Sequence, residues 1–190
     1  MQKVLRTFIA VSIPETHRQL IASFQSNLKR CGADVRWVRP EAMHLTLRFL
    51  GDLTEDQVQT VITAVRIAAE GTASFPLVIE GTGGFPNVAR PRVLWLGVMT
   101  GSQAISDLAG RIQVKLDAAG FPPEKRSFSP HLTLGRVRSL RNIRKTVETM
   151  QAHSFSAEPF EVDAVRVIRS DLKPSGAVYT TLESISLQRI

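Results

Sequence analysis

The sequence holds one cysteine, Cys31, in 190 residues. A lone thiol cannot build a disulfide framework or a cysteine-based metal site, and a reducing cytoplasm is the simplest compartment for such a chain. No apolar run approaches the ~20 residues that a membrane-spanning helix needs. The stretch TFIAVSIP stops at Pro14 and reads as a strand, too short for the apolar core of a signal peptide. No Gly-x-Ser-x-Gly elbow occurs, and Cys31 ends a helical pattern, so a nucleophilic enzyme finds no support. Acidic residues are the minority, 17 against 24 Lys and Arg, for a net charge of +7. Residues 125–145, KRSFSPHLTLGRVRSLRNIRK, contain seven Lys or Arg and no acid, which points to an anionic partner such as nucleic acid or a nucleotide.

Histidine is also scarce, yet two of the four histidines open identical tetrapeptides, HLTL at 44–47 and HLTL at 131–134. The periodicity around them predicts strands over 6–13, 35–38, 43–51, 75–81, 92–99, 127–137, 160–170 and 177–187, the last two joined by a turn at 173–176. It predicts helices over 14–32 (Leu20, Ile21, Phe24 and Leu28 on one face), 54–71 (opened by a Thr-x-x-Gln capping box), 102–120 and 139–150. Strand, helix, HLTL strand, helix, strand thus occurs twice. The chain reads as one domain, 1–190, with an internal duplication over approximately 1–82 and 91–190. A pseudo-twofold axis would bring the two HLTL strands together.

Side chains alternate along a strand, so His44 and Thr46 share one face and Leu45, Leu47 and Phe49 the core face; His131 and Thr133 oppose Leu132 and Leu134 in the same way. An imidazole titrates near neutral pH and a hydroxyl can donate to an anionic oxygen. Two such units facing each other supply two acid/base groups and two oxygen-binding donors around one tetrahedral anion, as phosphodiester hydrolysis requires. Metal chemistry lacks ligands here: threonine is a poor one, no His-x-x-x-His occurs, and neither motif contains Asp or Glu.

At these residues the sequence resembles the 2H phosphoesterase superfamily, and within it the RNA 2′,3′-cyclic phosphodiesterases once called 2′–5′ RNA ligases. The likeness runs nearly end to end, through RTFIAVSIP, VRWVRPEAMHLTLRFLGDL, GGFPNVARPRVLWLGV, RSFSPHLTLGRV and IRSDLKPSGAVYTTLESISL. It implies an α+β fold of two pseudo-symmetric lobes, each with an antiparallel sheet and outer helices, around a cleft between the sheets. It also implies hydrolysis of an RNA or nucleotide 2′,3′-cyclic phosphodiester to a 2′-phosphate with no cofactor and no metal. His44 would be the acid that protonates the departing 3′ oxygen, His131 the base that activates water, and Thr46 and Thr133 the holders of the nonbridging oxygens. The family pattern also places an arginine five residues after the second histidine, here Arg136. By parity Arg136 reaches the cleft only if the strand ends or bulges near Gly135, whereas Arg48 is in phase with His44 and is a candidate phosphate clamp.

Further candidates are Arg126 (phosphate contact or surface charge), Phe85 (base stacking or loop anchor) and Tyr179 (ligand contact or sheet-edge cover). Trp37 and Trp95 read as core, His17 and His153 as solvated bystanders. A soluble monomer acting on RNA ends or cyclic nucleotides, away from membranes, is the expectation. The alternatives are an RNA-joining enzyme with the same histidines, and a phosphate-binding module without turnover.

Overall fold

The computed structural model describes residues 4–124, 126–174 and 176–189. Lys125 of the basic stretch and Ser175 of the expected turn lie outside them. In chain order the elements are β1 (Leu5–Ser12), α1 (Glu15–Lys29), β2 (Val35–Trp37), a 3-10 turn (Pro40–Ala42), β3 (His44–Leu53), α2 (Glu55–Ala69), β4 (Phe75–Leu77), β5 (Ile79–Phe85), β6 (Val93–Val98), α3 (Ser102–Ala118), β7 (His131–Val137), α4 (Ile143–Ala152), β8 (Phe160–Val162), β9 (Ala164–Lys173) and β10 (Gly176–Ser186).

Two four-stranded sheets carry the molecule, one in the order β10-β9-β1-β3 and the other β2-β7-β6-β5, with every pairing antiparallel. Their equivalence is strand by strand: β9-β1-β3 in the first matches β5-β6-β7 in the second. Each half of the chain therefore feeds both sheets. β1 and β3 belong to the first sheet, but β2 and β5, from the same half, join the second. The helices cross over too. α1 packs beside α4 and reaches β7, while α3 packs on α2 and β3. The expected strands at 75–81 and 160–170 each break once. Their first segments, β4 and β8, pair with each other across the pseudo-axis (Phe75↔Val162, Leu77↔Phe160), and the rest continue into β5 and β9. Intertwining of this kind makes one continuous core from Ile9, Leu45 and Val65 to Leu94, Leu132 and Met150. Among the described residues no helix is long and apolar enough to cross a membrane.

The helical faces follow the sequence with local exceptions. Thr54 and Gln57 close the capping box reciprocally, and α2 buries Val58, Val61, Ile62, Val65 and Ala69. α4 begins only at Ile143, because Asn142 adopts a left-handed φ of 55°, and Leu140 is left exposed. On α1 the buried set is His17, Ile21, Gln25 and Leu28, while Leu20 faces solvent. His17 is thus no bystander: its Nε2–H donates to the Glu158 carbonyl at 2.7 Å and its ring packs against Phe160. His153 is exposed.

Gln25, fully buried, connects helix and sheet. Its amide Nε2 donates to the carbonyls of Val38 (2.9 Å) and Leu134 (2.8 Å), so an α1 side chain grips the middle of β7. Replacing a buried donor leaves its acceptors short of a partner, which costs about 1–3 kcal/mol. Gln25→Met, which keeps the volume, should lower unfolding free energy by that amount in urea titration. A change below a few tenths would mean that water replaces the amide at no cost.

Candidate active site

Each HLTL strand carries an extra residue at the same place, and β3 carries a second at Leu50. On β3, Thr46 pairs with Ala10 and Arg48 with Ile9, so Leu47 has no partner. On β7, Thr133 pairs with Trp95 and Gly135 with Leu94, so Leu134 has none. A bulge of one residue resets the inside-outside alternation. The fourth position after each histidine therefore turns inward, and the fifth returns to the face of the histidine and threonine. On β7 this brings Arg136 into phase with His131 and Thr133, exposed and opposite Val93. Gly135 fills the inward position because no side chain fits: a Cβ there would lie 2.5 Å from Val35 Cγ1.

On β3 the same bulge corrects two parity expectations. Phe49 leaves the core face and is 44% exposed, with the Arg6 guanidinium 4.6 Å above its ring. Arg48 turns inward and is 7% exposed. It donates to the Pro122 carbonyl, and its Nη1 lies 3.3 Å from the Glu124 carboxylate. Arg48 is thus no phosphate clamp. It ties β3 to the loop that leads into β7.

The faces not covered by helices define the cleft. From the first sheet come Phe8, Ala10, Ser12, His44, Thr46, Ile168 and Tyr179, with Phe8, Ala10, Ile168 and Tyr179 packed as a small separate cluster. From the second come Phe85, Trp95, His131, Thr133, Arg136 and Arg36, the last being the cross-strand neighbour of Arg136. β3 and β7 touch each other. Arg126 is exposed on the loop before β7. Arg144 lies in the helix layer, paired with Glu148 at 2.8 Å, and so does not face the cleft.

Both histidines are held the same way. His44 Nδ1 lies 3.0 Å from the Ala42 carbonyl and His131 Nδ1 2.7 Å from the Ser129 carbonyl, in each case two residues upstream. A carbonyl only accepts, so each Nδ1 carries the proton and each Nε2 is left as the ring nitrogen with the free lone pair. Aromatic rings fix the imidazole planes. Phe8 stacks on His44 with centroids 4.5 Å apart, and Tyr179 meets it edge-on at 5.1 Å. Phe85 meets His131 edge-on at 4.9 Å, backed by Trp95. Phe85 and Tyr179 therefore each touch one of the histidines.

Phe8 and Trp95 also belong to this cleft, so Trp95 is not the core residue that its strand suggests. The signal for Trp95 was its alternation with Leu94 and Leu96, which face inward at 0% exposure. Its ring lies flat over Gly83, where a Cβ would meet it at 2.1 Å.

Burial lowers the His44 pKa to about 4; the Ala42 hydrogen bond opposes this and the Arg18 charge adds to it. Burial also pushes the Tyr179 hydroxyl up, while the charges of Arg136, Arg39 and Arg6 pull it down. Among the described residues no three His, Cys, Asp or Glu side chains converge as metal ligands would.

The His44 shift has a sign that can be measured. Between pH 6.5 and about 4 the unfolded chain binds a proton at this residue and the folded chain does not. Stability should therefore fall as pH drops through that window, by about 3 kcal/mol at most. His44→Asn should remove this portion of the acid dependence in denaturant titrations at pH 7, 5.5 and 4. Parallel curves for the two proteins would contradict it.

Comparison with known proteins agrees with this architecture. The family model for LigT-like phosphoesterases matches the chain twice, over residues 11–95 and 96–179. The RNA 2′,3′-cyclic phosphodiesterase of Methanothermobacter thermautotrophicus is 36% identical over 184 residues, covering 96% of this chain and 99% of that protein. The enzyme of the same name from Aquifex aeolicus is 31% identical, covering 97% and 98%. Among solved structures, Thermus thermophilus TT0787 superposes with a TM-score of 0.78 at 29% identity over 96% of this chain and 98% of that one. E. coli LigT in complex with 3′-AMP has the same fold, with a TM-score of 0.78 at 21% identity, covering 98% and 99%.

Proposed function

Because the chain belongs to the LigT-like phosphoesterase family, we propose that its cleft hydrolyses the 2′,3′-cyclic phosphodiester at an RNA or nucleotide end to a 2′-phosphate. The observation that carries this reading is the twofold repetition of one device: a strand with histidine, threonine and a bulge, its imidazole turned by an upstream carbonyl so that Nε2 is the active atom. The relatives named RNA 2′,3′-cyclic phosphodiesterase, matched over nearly their full length, support the substrate class.

In this reading the phosphate sits between Thr46 and Thr133, whose hydroxyls donate to its nonbridging oxygens. His131 Nε2 accepts a proton from water as the water oxygen attacks phosphorus. The bond from phosphorus to O3′ breaks, and His44 Nε2–H gives its proton to O3′. Arg136, brought into phase by the bulge, neutralises the charge that builds on the phosphoryl oxygens. Phe85 and Tyr179 hold the imidazoles and border the nucleoside. Two histidines supply all the proton transfers, so no metal enters the step.

The acid role needs an imidazolium, and burial alone keeps His44 neutral at pH 7. A phosphodiester anion beside it supplies the opposite charge that favours protonation. The falling alkaline limb of kcat, which reports the complex, should then lie at higher pH than that of kcat/KM, which reports the free enzyme. If His44 is instead the base, kcat/KM will rise with pH from about 4, and the roles of the two histidines exchange.

Turnover of a cyclic-phosphate substrate should drop by roughly 10²–10⁴-fold in His44→Ala and again in His131→Ala, each removing one proton transfer. Circular dichroism and thermal melts would establish that both variants fold. Wild-type rates should be the same with and without EDTA. Near-normal hydrolysis by either folded variant would dismiss the mechanism, and loss on chelation with recovery on added zinc would replace it with a metal one.

A further inference from the structure

The proposed reaction leaves cations on the cleft face unexplained. Arg18, Arg48, Arg66, Arg144 and Arg169 each have a carboxylate partner. On the cleft face Arg6, Arg36, Arg39 and Arg136 have no carboxylate partner among the described residues, nor has Arg166, which donates to Ser12 Oγ. The first four come from three stretches of chain, at 6, 36–39 and 136, on the side of the cleft that holds Tyr179, whose hydroxyl feels the charges of Arg6, Arg39 and Arg136. Arg36 and Arg136 lie directly across the β2–β7 ladder, both exposed and on the same face. Arg39, just past β2, crosses to the other sheet and donates to the Ala177 carbonyl at 3.0 Å. Arg6 rests on the exposed ring of Phe49. Ala177 is two residues from Tyr179, whose ring stands on the same cleft wall.

Like charges placed directly opposite on adjacent strands destabilise a sheet. Here two arginines hold directly opposed positions whose backbones lie one strand spacing apart, about 4.8 Å, and neither has a carboxylate partner among the described residues. One reacting phosphate can neutralise one or two such groups but not four drawn from both sheets. Interleaved with the cations are exposed or half-buried aromatic faces, Phe49 and Tyr179. A cationic groove with aromatic platforms is the chemistry that binds single-stranded nucleic acid, phosphates on arginine and bases on rings.

We propose that Arg6, Arg36 and Arg39, continuing from Arg136, form a track for the sugar-phosphate backbone of single-stranded RNA upstream of the cyclic end. This rests on the reaction proposed above and sharpens its substrate: an RNA strand in preference to a mononucleotide. Of the basic stretch at 125–145 the track uses Arg136 and not Arg144, which sits in the helix layer with its own partner.

The test compares a single-stranded RNA decamer ending in a 2′,3′-cyclic phosphate with the corresponding cyclic mononucleotide. The ratio of their kcat/KM values should fall roughly three- to tenfold in Arg36→Gln and in Arg39→Gln, and the decamer's slope of log affinity against log salt should flatten by about 0.7–1 per arginine lost. Arg66→Gln, on the outer surface, is the control and should leave both unchanged. Because Arg36 repels Arg136, Arg36→Gln should melt at or above the wild-type temperature, which separates lost recognition from damaged folding. A second arm measures anisotropy of a labelled decamer ending in a 2′-phosphate. It reads the track without turnover, so it stays informative even if the proposed reaction fails. Unchanged ratios and salt slopes in both arginine variants would overturn the track, as would equal losses on decamer and mononucleotide.

Discussion

One unpaired residue in each of two strands decides which side chains can meet in this protein. A strand without interruption would put the fourth residue after the histidine beside it and hide the fifth. Leu47 and Leu134 break that alternation at equivalent places. On β7 the break delivers Arg136 to the cleft and buries Gly135. On β3 it delivers Phe49 to the cleft and buries Arg48. Identical HLTL tetrapeptides thus end in different surroundings, an arginine on one wall and an aromatic ring on the other, and the pseudo-symmetric cleft gains a direction.

The bulges do not stand alone. Gln25 reaches from α1 to the carbonyl of Leu134, the unpaired residue of β7, and Val38 donates its backbone N–H to the same carbonyl. Arg48, turned inward by the other bulge, binds the loop that contains Ser129, whose carbonyl sets the His131 tautomer. Each HLTL strand is therefore fixed by elements from elsewhere in the intertwined fold. Such crosslinks hold side-chain geometry better than loops can, because moving one wall of the cleft would break contacts in the other.

Much of this was legible beforehand. The duplication, the strand nature of both motifs and the shared face of histidine and threonine follow from spacing and from the two-residue period. The fates of Arg48, Phe49 and Arg136 do not, since a bulge is a property of pairing and leaves only weak traces in one strand. The conditional at Gly135 was as far as parity could go. His17 and Gln25 escaped for another reason: each satisfies its polar atoms with distant backbone carbonyls, and such partners, more than a hundred residues away for Glu158 and Leu134, carry no local signal. Exchange of β2 and β5 into the second sheet was likewise invisible, because sequence halves and spatial lobes need not coincide.

Two electrostatic effects meet in the cleft. Burial disfavours charge on the His44 imidazole. Beside it, around Tyr179, guanidinium groups without carboxylate partners favour an anion. The proposed chemistry needs both, because the phosphate that the arginines attract is what makes the acid an acid. Regiochemistry tests this account most directly, since a fixed acid on one side and a fixed base on the other can release only one oxygen. Phosphorus NMR of the products from adenosine 2′,3′-cyclic phosphate should show the 2′-phosphate alone. A mixture of 2′- and 3′-phosphates, or the cyclic ester unchanged, would contradict it.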